Sequence, residues 1–281
     1  MTKTSTALAL ALALSACSST GATKVPAEVS GWKVDFFDDF DAFNTDNWQD
    51  QILWVNNEDQ CYVRDNQYGT REVSDGSIKL KVIGLDEAID CDNIDKYGKK
   101  HPDTRYVAGR IASKNRQEFV KGRWTARLRT WGSGSAGMFP AWWLLGSRNN
   151  EPPVQEEDEN ICWPMTGSGE IDVFEHHGSG GADHYVARAI QSRGSCDDGD
   201  WRTYQIDLSA SLDQYHEYSV EWADGDLVYS IDGVESGRNE GLGDQYPEPL
   251  FAILNYAKYA AGPMSGEWVM EVDWVKHEYW Q

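Results

Sequence analysis

Apolar side chains recur at every second position in one short segment after another of this chain, and no stretch of twelve or more residues carries a strong 3.6-residue period. Period two is the spacing of a strand with one buried face. Ile78, Leu80 and Val82 alternate with Ser77, Lys79 and Lys81, and Trp124, Ala126 and Leu128 alternate with arginines at 123, 127 and 129. Tyr218, Val220 and Trp222 lead into an Ala-Asp-Gly-Asp turn, from which Leu227, Tyr229 and Ile231 run back as a hairpin. At the C-terminus Trp268, Met270, Val272 and Trp274 are expected on one face, with Asp273 and Val275 on the other. Many short strands and no strong helix predict an all-β antiparallel sandwich. Residues 84–106 and 147–161 read as long loops, the second as a solvated one despite its acidic cluster at 156–159.

Charge narrows the partners. The chain has 281 residues, with 46 acidic and 25 basic side chains, for a net charge of −21. Such a surface repels nucleic acid, which needs a basic patch, and it disfavours polyanionic substrates. Thirteen tryptophans offer flat apolar faces of the kind that sugar rings stack on.

The first residues read as an export signal. Lys3 supplies a positive start and Ala7 to Leu14 an apolar run, far shorter than the about 20 residues that span a bilayer. The ending Leu14-Ser15-Ala16-Cys17 resembles the lipobox of bacterial lipoproteins. That resemblance implies a signal peptide over 1–16, a lipidated Cys17 and an anchor in the cell envelope, with Ser18 favouring the outer membrane. Residues 17–30, small and polar, form the expected tether. Residues 31–281 form one domain, expected to be monomeric. Four further cysteines, Cys61, Cys91, Cys162 and Cys196, meet an oxidising compartment and allow three pairings. The two shortest loops pair Cys61 with Cys91 and Cys162 with Cys196.

Two motifs carry no chemistry. Residues 132–137 match a glycine-rich nucleotide loop, but Pro140 and bulky aromatics follow where a helix must open. His176 and His177 are adjacent, so on a strand they face apart and share no metal.

The chemical signal is Gly169-Glu170-Ile171-Asp172-Val173-Phe174-Glu175. On a regular strand Glu170 and Asp172 share a face and Glu175 points away. One bulge residue restores the alternation and returns Glu175 to the other acids. The glutamate backbones are then about 13 Å apart. Side chains leaning along the strand bring the carboxyls toward the about 5–5.5 Å of a retaining glycosidase. Asp172 stands between them, placed to share a proton.

This run resembles the bulged E-x-D-x-x-E signature of glycoside hydrolase family 16, in its laminarinase-like branch. Further matches follow in family order: Phe36 to Phe40, the Asn56-Asn57-Glu58-Asp59-Gln60 element, Ala108-Gly109-Arg110-Ile111, Lys121 to Arg127, Gly137 to Gly146, and the closing strand at 271–275. The resemblance covers about residues 32–281. It implies a concanavalin A-like β-jelly roll of two curved antiparallel sheets. Glu170 would be the nucleophile, Glu175 the general acid/base and Asp172 the assistant of Glu170. Asn57, Arg110, Trp143 and Trp163 would line the non-reducing side of the cleft, and Gln191 the aglycone side, where many relatives carry histidine. No catalytic cofactor is implied. A structural calcium is, held by the backbones of Asp39 and Gly76 and the side chain of Asp273. The expected activity is retaining endo-hydrolysis of neutral β-1,3-glucan. Agarase-like hydrolysis, glucan transglycosylation and non-catalytic sugar binding are the alternatives. The loop from Trp163 to Glu170 is two residues longer than in laminarinases, which leaves the placement of Trp163 open, and Gln191 in place of histidine leaves open the linkage preference and the balance of hydrolysis and transglycosylation.

Overall fold

The computed structural model describes Lys24 and residues 31–281 apart from 133–135, 224 and 260–261. Cys17, the signal segment, the remaining tether and half of the 132–137 glycine run lie outside the described residues.

Two sheets enclose the core. In the back sheet the strands Asp226–Ile231, His216–Ala223, Gly122–Trp131, Trp268–Trp280, Ser77–Ile89 and Thr104–Ala108 lie side by side. In the front sheet the order is His184–Ser192, Glu170–Glu175, Met138–Gly146, Leu250–Lys258 and Arg110–Ala112. All these neighbours are antiparallel. This is the jelly-roll architecture expected.

The alternation seen in the sequence sets which side chains meet between the sheets. Ile78, Leu80, Trp124, Leu128 and Val220 from the back sheet pack with Trp142, Leu144, Ile171 and Leu254 from the front, each at most 1% exposed. Full burial of one such side chain is worth roughly 1.5–3 kcal/mol. On its other face the front sheet carries a smaller apolar cluster of Ala112, Leu145, Phe251 and Ile253, against which Trp143 and Trp163 pack. That second cluster is the floor on which a site can be built.

Three expectations need correction. The C-terminal strand does not alternate throughout: its pairing with Gly122–Trp131 shifts between Val272 and Trp274. Val275 therefore joins the core, and Trp274 turns away to meet the Phe37 ring at 6.1 Å. The 84–106 loop is shorter than expected, because the strand from Ser77 runs on to Ile89 and the next begins at Thr104. The acidic cluster in the second loop is not simply solvated. Glu159 is 3% exposed, lies 3.1 Å from the buried Lys114 ammonium, and accepts bonds from the backbone N–H groups of Gln155 and Glu156. Local sequence could not show that lysine, which lies in a turn some 45 residues earlier in the chain.

Both disulfides, Cys61–Cys91 and Cys162–Cys196, are formed, with Cα separations of 5.5 and 5.6 Å. On the back sheet the backbone carbonyls of Asp39, Gly76 and Asp273 converge on the Lys24 ammonium, which also lies 2.8 Å from Asp273 Oδ1. The other Asp273 oxygen pairs with Arg127 at 2.5 Å.

Candidate active site

The strand Glu170–Glu175 lies between Met138–Gly146 and His184–Ser192. Its register with both neighbours breaks at one place. Asp172 faces Trp143 and Phe174 faces Trp142, so Val173 has no partner of its own. On the other side Asp172 faces Arg188 and Glu175 faces Val186, so Val173 and Phe174 together oppose Ala187. This is a bulge: two residues against one. Ile171, Val173 and Phe174 all enter the core, and Glu170, Asp172 and Glu175 share the opposite face. Phe174 is locked there by Tyr185 and Tyr218, with ring centroids 5.2 and 4.8 Å away.

The three carboxyls form a line, with Asp172 in hydrogen-bond reach of both glutamates. Asp172 is 2% and Glu175 8% exposed, while Glu170 is half-buried and the most open of the three. Burial raises the proton affinity of each. Glu170 is pushed up to about 8 by burial and then by the charge of Glu175. Asp172 and Glu175 are raised by burial and then by the neighbouring carboxyl, against an opposing pull from Arg188. Asp172 Oδ2 and Glu175 Oε2 are buried without a directed hydrogen-bond donor. A carboxylate has no proton to give, so the line is stable only when its members share protons.

Arg188, on the next strand, is the cation of the site. Its Nε lies 2.6 Å from Glu175 Oε2 and 3.5 Å from Asp172 Oδ2. The approach is off the N–H direction, making an ion pair rather than an aligned hydrogen bond. The guanidinium lies 5.0 Å from the Trp201 ring centroid. Beside it, burial and then the Arg188 charge lower His177 to about 4, leaving that imidazole neutral and stacked on Phe139 at 4.4 Å. Sequence reading passed over Arg188, which alternation alone makes one polar residue among several. Cross-strand register, opposite Asp172, is what singles it out.

Four residues expected on the non-reducing side surround one region. Arg110, 1% exposed, lies 5.0 Å from the Trp143 ring centroid and is held by Gln51 and by Glu151, each at 2.7 Å. Trp143 donates its indole N–H to Asn255 at 2.7 Å. Trp163 packs on the same apolar floor, near enough to Glu170 to draw its proton affinity down a little, though its buried indole N–H makes no aligned hydrogen bond. Asn57 is exposed beside Glu58, a buried carboxyl that desolvation raises to about 7 against the opposing charge of Arg110. Glu151, from the second loop, stands close enough to add to the rise of Glu170. Gln191, expected on the aglycone side, stands apart from this group. Its side chain engages the Tyr246 hydroxyl, which is buried behind the strand and bonds the carbonyls of Glu170 and Ile190 at 3.1 Å each.

The residues expected to hold calcium, Asp39, Gly76 and Asp273, meet at the Lys24 ammonium on the other sheet. Their oxygens fit a hard cation, for which carbonyl and carboxylate donors are the normal set. Among the described residues no group of three or more His, Cys, Asp or Glu side chains is arranged to hold a metal.

No curated protein matches the chain significantly in sequence. Among solved structures, the laminarinase catalytic domain of Thermotoga maritima is 20% identical with a TM-score of 0.67, over 89% of this chain and 99% of that one. A LamA variant from Zobellia galactanivorans, crystallised with laminaritriose and laminaritetraose, is 22% identical with a TM-score of 0.70, over 88% and 98%. A structure from work on endo-acting O-glycanases of human gut microbiota that initiate mucin breakdown is 19% identical with a TM-score of 0.73, over 90% and 92%. At these identities the likeness speaks for the fold. The family model of the glycosyl hydrolases family 16 matches residues 66–276, which takes in the whole acid strand and both its neighbours, and on that match the chain belongs to family 16 and is a glycoside hydrolase.

Proposed function

We propose that the protein is a retaining endo-hydrolase of neutral β-1,3-glucan, and that Glu170, Asp172 and Glu175 carry the reaction. The observation that supports this most is the bulge, which puts two glutamates on one face with Asp172 within reach of both. Glu170 attacks the anomeric carbon as Glu175 protonates the departing oxygen, and the glycosidic C–O bond breaks. Glu175 then takes a proton from water, the water oxygen bonds to the anomeric carbon, and Glu170 leaves. Asp172 shares a proton with Glu170 and eases its change between carboxylate and ester. The substrate choice rests on the net charge of −21, which opposes polyanionic glycans, and on the laminarinases among the similar structures. Product analysis on laminarin, mixed-linkage glucan and agarose decides it.

We also read the Lys24 cage as a cation site able to accept calcium, and Cys17 as a lipid anchor that holds the domain to the envelope.

Four outcomes test these readings. Glu170→Ala and Glu175→Ala each lose at least 10³-fold in glucan hydrolysis, as expected when one partner of a double displacement is missing. With an activated aryl glycoside and azide, Glu175→Ala yields the β-azide and Glu170→Ala the α-azide; the reverse stereochemistry swaps their roles. A second outcome concerns pH. Activity needs Glu170 ionised and Glu175 protonated, and Arg188 lowers the proton affinity of Glu175. Removing that charge in Arg188→Gln therefore raises it, and the alkaline limb of kcat/KM moves up by about 1 pH unit. An unmoved limb would show that Arg188 does not act on the acid. Third, calcium raises the thermal midpoint of the protein and chelation reverses the gain, more so in Lys24→Met, where no ammonium competes. Equal midpoints with and without calcium in both proteins remove the metal reading. Fourth, Cys17→Ser moves the protein from the membrane to the soluble fraction, since stable anchoring needs acyl chains; a wild type already soluble ends that claim.

A further inference from the structure

The two disulfides are far apart in the chain, yet each fastens one end of the same bridge. Cys91, bonded to Cys61, leads directly into a hairpin whose arms are paired at Ile94 and Lys100. Cys196, bonded to Cys162, is the neighbour of Asp197. The hairpin reaches Asp197 twice: Lys96 pairs with its carboxylate, and the Tyr97 hydroxyl donates to Oδ2 at 2.5 Å. On its other side Lys99 donates to Asn57 Oδ1 at 3.1 Å and lies 4.9 Å from the Trp54 ring centroid.

These two footholds stand at opposite ends of the front-sheet strands. Asp59, two residues from Asn57, bonds through its N–H to the carbonyl of Lys258, which faces Met138 where one central strand begins. Asp197 donates its N–H to the Trp163 carbonyl at 2.8 Å, and Trp163 lies close to Glu170, near the other end of those strands at Gly146. Both footholds rise from the same face. Trp163 packs on the floor beside Trp143, and Glu58, next to Asn57, faces the Arg110 that covers Trp143. A hairpin that touches both footholds crosses the face that carries Trp143 and Glu170.

We infer that residues 94–100 form a strap over the non-reducing half of the cleft, latched by Asp197, and that this latch determines how a polysaccharide is attacked. The inference rests on the proposed glycan-hydrolysing role of the acid strand and deepens it. With the strap closed, a long chain cannot be laid into the cleft from above at an internal position. It must thread beneath the strap from an end, or wait for the latch to open. The latch can open, because Lys96 and Asp197 are both more than a third exposed and an exposed ion pair of that kind is weak. Reach into the cleft for a short oligosaccharide is unaffected. The Tyr97 ring, 73% exposed, is held by its hydroxyl rather than by packing.

The test uses the full chain and Asp197→Ala, a position outside the acid strand and the floor. Hydrogen exchange reads the strap whatever the substrate: amides of 94–100 exchange several-fold faster in the variant. Unchanged exchange would mean that Asp197 holds nothing, and the inference fails. On the polysaccharide that the wild type cleaves, viscosity falls several-fold further per reducing end in the variant, because internal cuts become a larger share of all cuts, while kcat/KM for a short aryl oligosaccharide is unchanged. Tyr97→Cys/Asp197→Cys joined by a short bismaleimide gives the opposite shift, toward cuts near chain ends. If the opened and the joined proteins share the wild-type ratio of viscosity loss to reducing ends, the strap does not govern attack. A wild type that cleaves none of the glycans tested sinks the hydrolytic reading and with it this one; cleavage with an unchanged ratio sinks the strap alone.

Discussion

The arrangement of the acid strand depends on one extra residue. Val173 has no partner in the register with Met138–Gly146, and the consequence is geometric. Were Val173 paired in turn, with no bulge, strand alternation would send Glu175 into a core where Phe174 now stacks on Tyr185 and leans on Tyr218. With the bulge, three carboxyls share a face and three apolar side chains share the other. The core stabilises the bulge in turn, since Ile171, Val173 and Phe174 are each at most 2% exposed and none has room to exchange sides with a carboxyl.

Placing three acids in a line has an electrostatic cost, and the surroundings distribute it. Burial disfavours each charge and the neighbours disfavour it further, so the line holds protons at a pH where free carboxyls have lost them. Arg188 offsets this only at the Glu175 and Asp172 end. The glutamates are thereby made unequal: one open to the cleft and away from the cation, the other buried and paired with it. Unequal environments for two carboxyls are what a division into nucleophile and acid requires. The same compensation recurs nearby, where Glu151 and Glu159 neutralise the buried Arg110 and Lys114. A chain with a net charge of −21 thus keeps its few buried cations paired.

The surroundings of the acid strand come from loops as much as from strands. The sheet supplies a floor of Trp143 and its apolar neighbours, while the walls come from segments with little regular structure. Disulfides fasten two of those segments, and the second loop is tied in through Glu151 and Glu159. Rigid strands hold the reacting groups, and loops, which accept insertions at low cost, shape what can approach them.

Period-two patterning in the sequence determined the all-β class, the hairpin at 218–231 and most of the core, because a strand's inward face is a local property of spacing. The acid triplet was legible for the same reason, since carboxylates among strand formers stand out and only a bulge reconciles them. What tertiary structure alone decided is everything that depends on partners distant in the chain. The shift at Val272–Trp274 follows from pairing with another strand, not from its own alternation. Arg188 became the cation of the site through its register opposite Asp172, and Gln191 was turned to Tyr246 by the same register, one face apart. Lys24 meets three carbonyls contributed by segments up to 249 residues away. Lys96 and Tyr97 meet Asp197 across about a hundred. Spacing along a chain encodes which face a side chain takes; which other face it meets is encoded only in how the sheets close.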